Sequence, residues 1–215
     1  MSEPDVMEEG SRKNSLWTSV SPELRLRLLG VLPLIFFLAQ GVHYWRLNES
    51  GHVLWMCNIG NLLLSAGLFF KKPVLIRVAA IWMIPGVVVW LVYVVFAWGV
   101  FLSSTLAHLG GIIVGMIALK KVGMKRGASL YAVGWYLIMQ LICRLFTPAA
   151  LNVNVSHYVY EGWQRTFNSY WKFWLALTLL TAAIVWSLER LLYKLWPMES
   201  RNRLEVEKRG YATVE

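Results

Sequence analysis

The sequence predicts an all-α polytopic membrane protein, a bundle of six transmembrane helices with both termini cytoplasmic. Three observations carry that prediction. The 215 residues are 57% hydrophobic and 15% charged, and mean hydropathy is +0.51, whereas a soluble domain is nearer half apolar and a quarter charged. Six apolar runs come close to the roughly 20 residues that cross a hydrocarbon core as helix. The basic residues also fall between those runs in a one-sided pattern.

The runs lie at about 26–45, 51–70, 73–96, 99–119, 129–148 and 170–193. Together they make a membrane domain over 21–195, with a polar arm at 1–20 and a charged tail at 196–215. The arm is too acidic and polar for a cleaved signal peptide, so the first span is expected to serve as its own insertion signal. That span has a start signal in S-P-E-L: Ser21 as N-cap, Pro22 at the first helical position and Glu23 in the first turn. Spans three and four are separated only by A-W-G-V-F, where Gly99 is the expected turn. Pro85-Gly86 marks a kink within span three.

Loop charges set the orientation. Arg12, Lys13, Arg25 and Arg27 precede or open span one; Lys71, Lys72 and Arg77 follow span two; Lys120, Lys121, Lys125 and Arg126 follow span four. Arg190, Lys194, Arg201, Arg203, Lys208 and Arg209 end the chain, and the opposite side receives only Arg46, Arg144, Arg165 and Lys172. Six spans put the heavy side in the cytoplasm throughout, and an odd number would scramble it. A cell (inner) membrane is the expected location. The net charge of +9 therefore reads as an orientation signal, and no nucleic-acid partner is expected. The 12 Trp, 9 Tyr and 9 Phe suit the headgroup zone.

Polar residues inside the spans point to one region. Span two opens H-V-L-W-M-C-N-I-G-N. His52 stands at its mouth, and Cys57 is expected roughly 9 Å deep at 1.5 Å per residue. Cys57, Asn58, Asn61 and Ser65 share a face by their three- and four-residue spacing. Span four carries His108 about 12 Å down, four residues after Ser104, and Gly111 and Gly115 form a GxxxG for close helix approach. Span five ends with Gln140 and Arg144 four apart, and Asn152, Asn154 and His157 follow in a polar, aromatic outer loop at 149–169. All four histidines, His43, His52, His108 and His157, fall on the outer side, while Arg77 reads as a topology anchor.

Asparagine and serine in spans are commonly interhelical glue, worth around 1 kcal/mol each. Cys143 reads as a small buried hydrophobe, and His52 as an interfacial residue. His108 differs, because an ionisable group that deep is costly and marks function. A cysteine needs a base or cation to form thiolate. Cys57 with His108 at matched depth would suit acyl transfer, with Asn58, Asn61, Arg144, Asn152, Asn154 and His157 as substrate-binding groups.

These motifs resemble a six-helix clan: androgen-induced-gene-type fatty-acid-ester hydrolases, intramembrane phospholipid acyltransferases and bacterial relatives of unassigned role. The shared features are H-x-x-x-x-C early in span two, a K-K loop, W-M-I-P-G in span three, A-H-L-G-G in span four and an N-rich segment after span five. They cover roughly residues 45–160. The resemblance implies Cys57 as nucleophile, His108 as base and a lipid acyl ester as substrate, without a cofactor. Two other classes stand beside it: a metal- or haem-binding membrane protein using outer-side histidines, and a non-catalytic accessory component. Sequons at 48–50 and 154–156 lie on the expected outer side.

Overall fold

The computed structural model describes residues 21–97 and 99–198. The expected arm at 1–20 and most of the tail at 196–215 lie outside the described residues. Among the described residues there are helices, turns and one isolated bridge, Met124 to Pro197, and no strand. Helix α1 (Pro22–Leu29) starts as the sequence predicts: Ser21 caps it by accepting the Leu24 N–H at 3.2 Å, and proline opens the first turn. Helix α2 (Val31–Arg46) follows without a loop, so Glu23–Arg46 forms one apolar stretch.

The second run departs from expectation. It gives a 3₁₀ turn (Ser50–Leu54), an extended Trp55 (ψ 137) and only then α3 (Met56–Phe69), 14 residues long. At 1.5 Å per residue α3 measures about 21 Å, short of a hydrocarbon core of about 30 Å. The cause is tertiary: at Gly51 a side chain would meet Leu151 at 2.7 Å, so residues 50–54 pack against the loop that follows the fifth run. Cys57 is therefore the second residue of its helix rather than roughly 9 Å inside it.

The remaining helices are α4 (Pro73–Ala97), α5 (Leu102–Val122), α6 (Ala128–Phe146) and α7 (Tyr170–Leu195). α4 runs on through Pro85. α5 contains a π turn over Leu106–Gly110. Five stretches, Glu23–Arg46 and α4 to α7, are long and apolar enough to cross a membrane. Their outward faces agree with that: Leu175, Leu179, Leu180, Ile184 and Leu191 of α7 stand exposed, a continuous apolar surface that water would not tolerate.

The short α3 is the centre of the bundle. It packs between α2 and α4, burying Leu64 and Leu68 against Ile76, Ala79, Met83, Val114 and Ala118. α5 approaches closely through the expected glycines: a Cβ on Gly111 would lie 2.5 Å from Asn61 Oδ1, and one on Gly115 2.9 Å from Met83 Sδ.

One end of the bundle, the basic end, is closed by polar contacts. Arg77, expected as a topology anchor, is buried. Its Nε donates to Gly123 O at 2.8 Å and its Nη2 to Val122 O at 3.3 Å, capping the C-terminus of α5. Met124 then exchanges backbone hydrogen bonds with Trp196 and Met198. Glu189, buried in α7, accepts Ser129 N–H at 2.6 Å and so caps the start of α6. Lys71, just past α3, pairs with Glu23 of α1.

Replacing Arg77 by methionine keeps an unbranched apolar stem and removes both donors. The expected result is a loss of about 1–3 kcal/mol, read as a lower midpoint of unfolding in mixed micelles. An unchanged midpoint would show that the α5 carbonyls find other partners.

Candidate functional site

The opposite end, which carries the loop after α6, holds most of the residues the sequence singles out. Asn154 organises it. Its Oδ1 accepts the Met56 N–H at 3.0 Å, and its Nδ2 donates to Leu54 O at 2.8 Å and to Cys143 Sγ at 3.2 Å. The carboxamide thus bridges the break at Trp55, as a neighbouring strand would, and supplies the α3 N-cap that Trp55 lacks. Asn58 completes the turn by donating to His52 O at 3.1 Å.

Holding Asn154 there requires unusual backbone. Asn152, Asn154 and Val155 have φ of 41, 51 and 59. Asparagine tolerates the left-handed region, whereas for β-branched Val155 it is strained by about 1–3 kcal/mol. Hydrogen bonds hold the segment in place. Asn152 Oδ1 accepts His157 N–H and Tyr158 N–H, and its Nδ2 donates to Tyr158 O. Gln140 Nε2 donates to Asn154 O at 2.6 Å. Arg144 donates to Ser156 O at 2.8 Å, and its guanidinium lies over Tyr170 and Trp171 at 4.9 and 5.3 Å. Tyr170 also donates to Ser156 O, at 2.6 Å. The Thr147 hydroxyl donates to Cys143 O, so the 3.2 Å contact with His157 Nε2 makes that nitrogen the donor.

A second group lies among α2, α3, α4 and α5. Asn61 Nδ2 donates both to Cys57 O at 3.1 Å and to Ala107 O at 2.9 Å, while its Oδ1 is buried without a partner among the described residues. The Ala107 carbonyl belongs to the π turn, a conformation rare in helices and frequent at functional sites. His108, in that turn, places Nδ1 2.8 Å from Ser104 O. A carbonyl can only accept, so Nδ1 carries a proton, and in the neutral ring the lone pair lies on Nε2. The imidazole stacks on Trp90, with centroids 5.3 Å apart and planes at 14°. Cys57 packs on the same helix one turn earlier, where a Cβ on Gly86 would lie 3.3 Å from its own. The Cys57 Sγ contact is Asn58 Oδ1, at 3.9 Å.

The structure therefore brings Cys57, Asn58, Asn61 and His108 to one region and does not join Cys57 to His108 by a hydrogen bond. Asn152 and Asn154 use both ends of their carboxamides on protein groups, and Arg144 and His157 are engaged in the loop. Sequence spacing missed Trp90 and Gln40, whose buried Oε1 is also unpartnered, because apolar neighbours surround both in the chain. The histidines do not converge on a metal: His52 pairs with Glu49 at 3.1 Å, His43 lies against Phe101, and no cluster of three His, Cys, Asp or Glu forms among the described residues.

No protein-family model, curated protein or solved structure matches this chain.

Asn154→Ala should lower the unfolding midpoint by the equivalent of about 1–3 kcal/mol, since it strands Met56 N–H and Leu54 O. Asn154→Asp should not rescue it, because a carboxylate accepts from Met56 but faces the Leu54 carbonyl without a proton. Full stability in Asn154→Asp would contradict the bridging role.

Proposed function

We propose that this multi-pass membrane protein acts on a lipid acyl ester in the outer half of the membrane, by hydrolysis or transfer, with Cys57 as nucleophile and His108 as base. The observation that carries the reading is His108 itself: a buried imidazole in an apolar helix, fixed by Ser104 and Trp90 so that Nε2 is the nitrogen left to act as base. Asn61 ties the backbone of Cys57 to the turn that holds it. The thiol would attack the ester carbonyl, forming a C–S bond as the C–O bond breaks. The proton taken by Nε2 would leave with the alkoxide, and water or an acceptor hydroxyl would then release the acyl group. The two side chains sit about one helical turn apart along α4, so the proton passes through one water or closes up on substrate. The resemblance of residues 45–160 to the six-helix acyl-ester clan favours the same pair.

The topology proposed with it is six spans with both termini cytoplasmic. Support comes from the pairing at the basic end, where Glu23, Lys71, Arg77, Gly123, Ser129, Glu189 and Met198 meet in twos and threes. That arrangement suits an α3 that completes a crossing despite its length.

A non-catalytic accessory role is the second reading. It is favoured by the engaged asparagines and by the missing Cys57–His108 hydrogen bond. A lipid-like, thiol-reactive acylating probe separates the two. Catalysis predicts labelling of Cys57, its loss in Cys57→Ala, no change in Cys143→Ala and a roughly 10²-fold slower rate in His108→Asn. Equal labelling of wild type and Cys57→Ala would end the acyl-transfer reading.

A further inference from the structure

Midway along the seam between α6 and α7, three polar atoms are buried together. Tyr136 stands eight residues into α6, about 12 Å along it. Its hydroxyl is aimed at Gln140 on its own helix and at Thr178 and Thr181 on α7. Yet the Tyr136 hydroxyl, Gln140 Oε1 and Thr178 Oγ1 each lack a partner at bonding distance among the described residues. Tyr136 and Gln140 are both only 5% exposed. On the far side, Trp82 stacks on the Tyr136 ring at 5.8 Å and donates Nε1 to Ala132 O, closing the space toward α4.

Buried polar groups that nothing meets are strongly destabilising, and native structures rarely leave them so. These three converge, so one occupant can meet them together. Its chemistry follows from Gln140. The Nε2 end is turned away to Asn154 O, which leaves Oε1 as a pure acceptor. The occupant must therefore offer a hydrogen-bond donor or a positive charge. A bare cation would be held by neutral oxygens alone; the nearest acid along α7, Glu189, lies eight residues from Thr181 and is engaged with Ser129. Burying an uncompensated charge costs several kcal/mol, so a neutral donor prevails. Water fits, since a buried water takes about three such partners.

We propose that Tyr136, Gln140, Thr178 and Thr181 form a water-binding site at mid-membrane that fastens α7 to α6. α7 needs such a joint. It buries only Phe173, Val185, Glu189 and Leu192, and its other polar ties lie near its ends, at Tyr170 and Glu189. The site also touches the loop, because the amide that presents Gln140 Oε1 is the one that holds Asn154.

The test uses isosteric variants of the full chain in nanodiscs. Tyr136→Phe and Thr178→Val each remove one oxygen without changing the packing. A shared water predicts that each lowers the melting temperature by about 2–6 °C, and that the double variant loses less than the two shifts combined, because both act through one molecule. A raised or unchanged melting temperature in the single variants would overturn the proposal, since it would mean dry orphan groups. Fully additive losses would overturn it too, since each oxygen would then have its own partner. If either single variant fails to fold, Thr181→Val takes its place. A stabilisation by sodium over choline chloride that Thr178→Val abolishes would assign the site to a cation instead and overturn water.

Discussion

The bond from Asn154 to the start of α3 is the interaction on which the rest of this structure depends. A helix end in lipid leaves backbone groups that water cannot reach, and each unmet group costs several kcal/mol. α3, at 14 residues, is shorter than a hydrocarbon core is thick, and its first N–H is met by protein. Asn154 does this from a loop nearly a hundred residues away. The same rule governs the other end of the bundle, where Arg77 meets the carbonyls that end α5 and Glu189 the N–H groups that begin α6. Side chains that a hydropathy profile counts as costs are here the caps that let short or broken helices persist.

That constraint fixes the division of labour at the loop end. Asn152, Asn154, Arg144 and His157 are committed to shaping the strained segment around Val155 and holding it over α3. What remains is deeper: His108 in its π turn, with Asn61 Oδ1 and Gln40 Oε1 buried and without a partner among the described residues.

The architecture was largely legible. Composition and run length gave the helices, and the S-P-E-L start and the GxxxG approach of α5 followed from local rules about capping and small residues. Misreadings came where tertiary partners decide. The run from 51 to 70 looks uniformly helical because hydropathy cannot register that Gly51 packs on Leu151. Asn154 and Arg77 read as a substrate-binding candidate and a topology charge because a cap supplied from far along the chain leaves no local pattern. The π turn at Leu106–Gly110 ends on the pair Gly110-Gly111, which in sequence reads equally as glycines for close helix packing. Glu189 sits within a span whose neighbours are apolar, and its partner lies sixty positions earlier.

The central claim is that the α3 N-terminus is closed by the loop after α6. Residue-resolved amide hydrogen exchange in nanodiscs tests it most directly, at Met56. The account predicts protection there equal to that of the α3 interior at Leu64, and exchange faster by orders of magnitude in Asn154→Ala. Exchange at Met56 in the wild-type protein as fast as at the exposed loop residues Trp163 and Gln164 would contradict it.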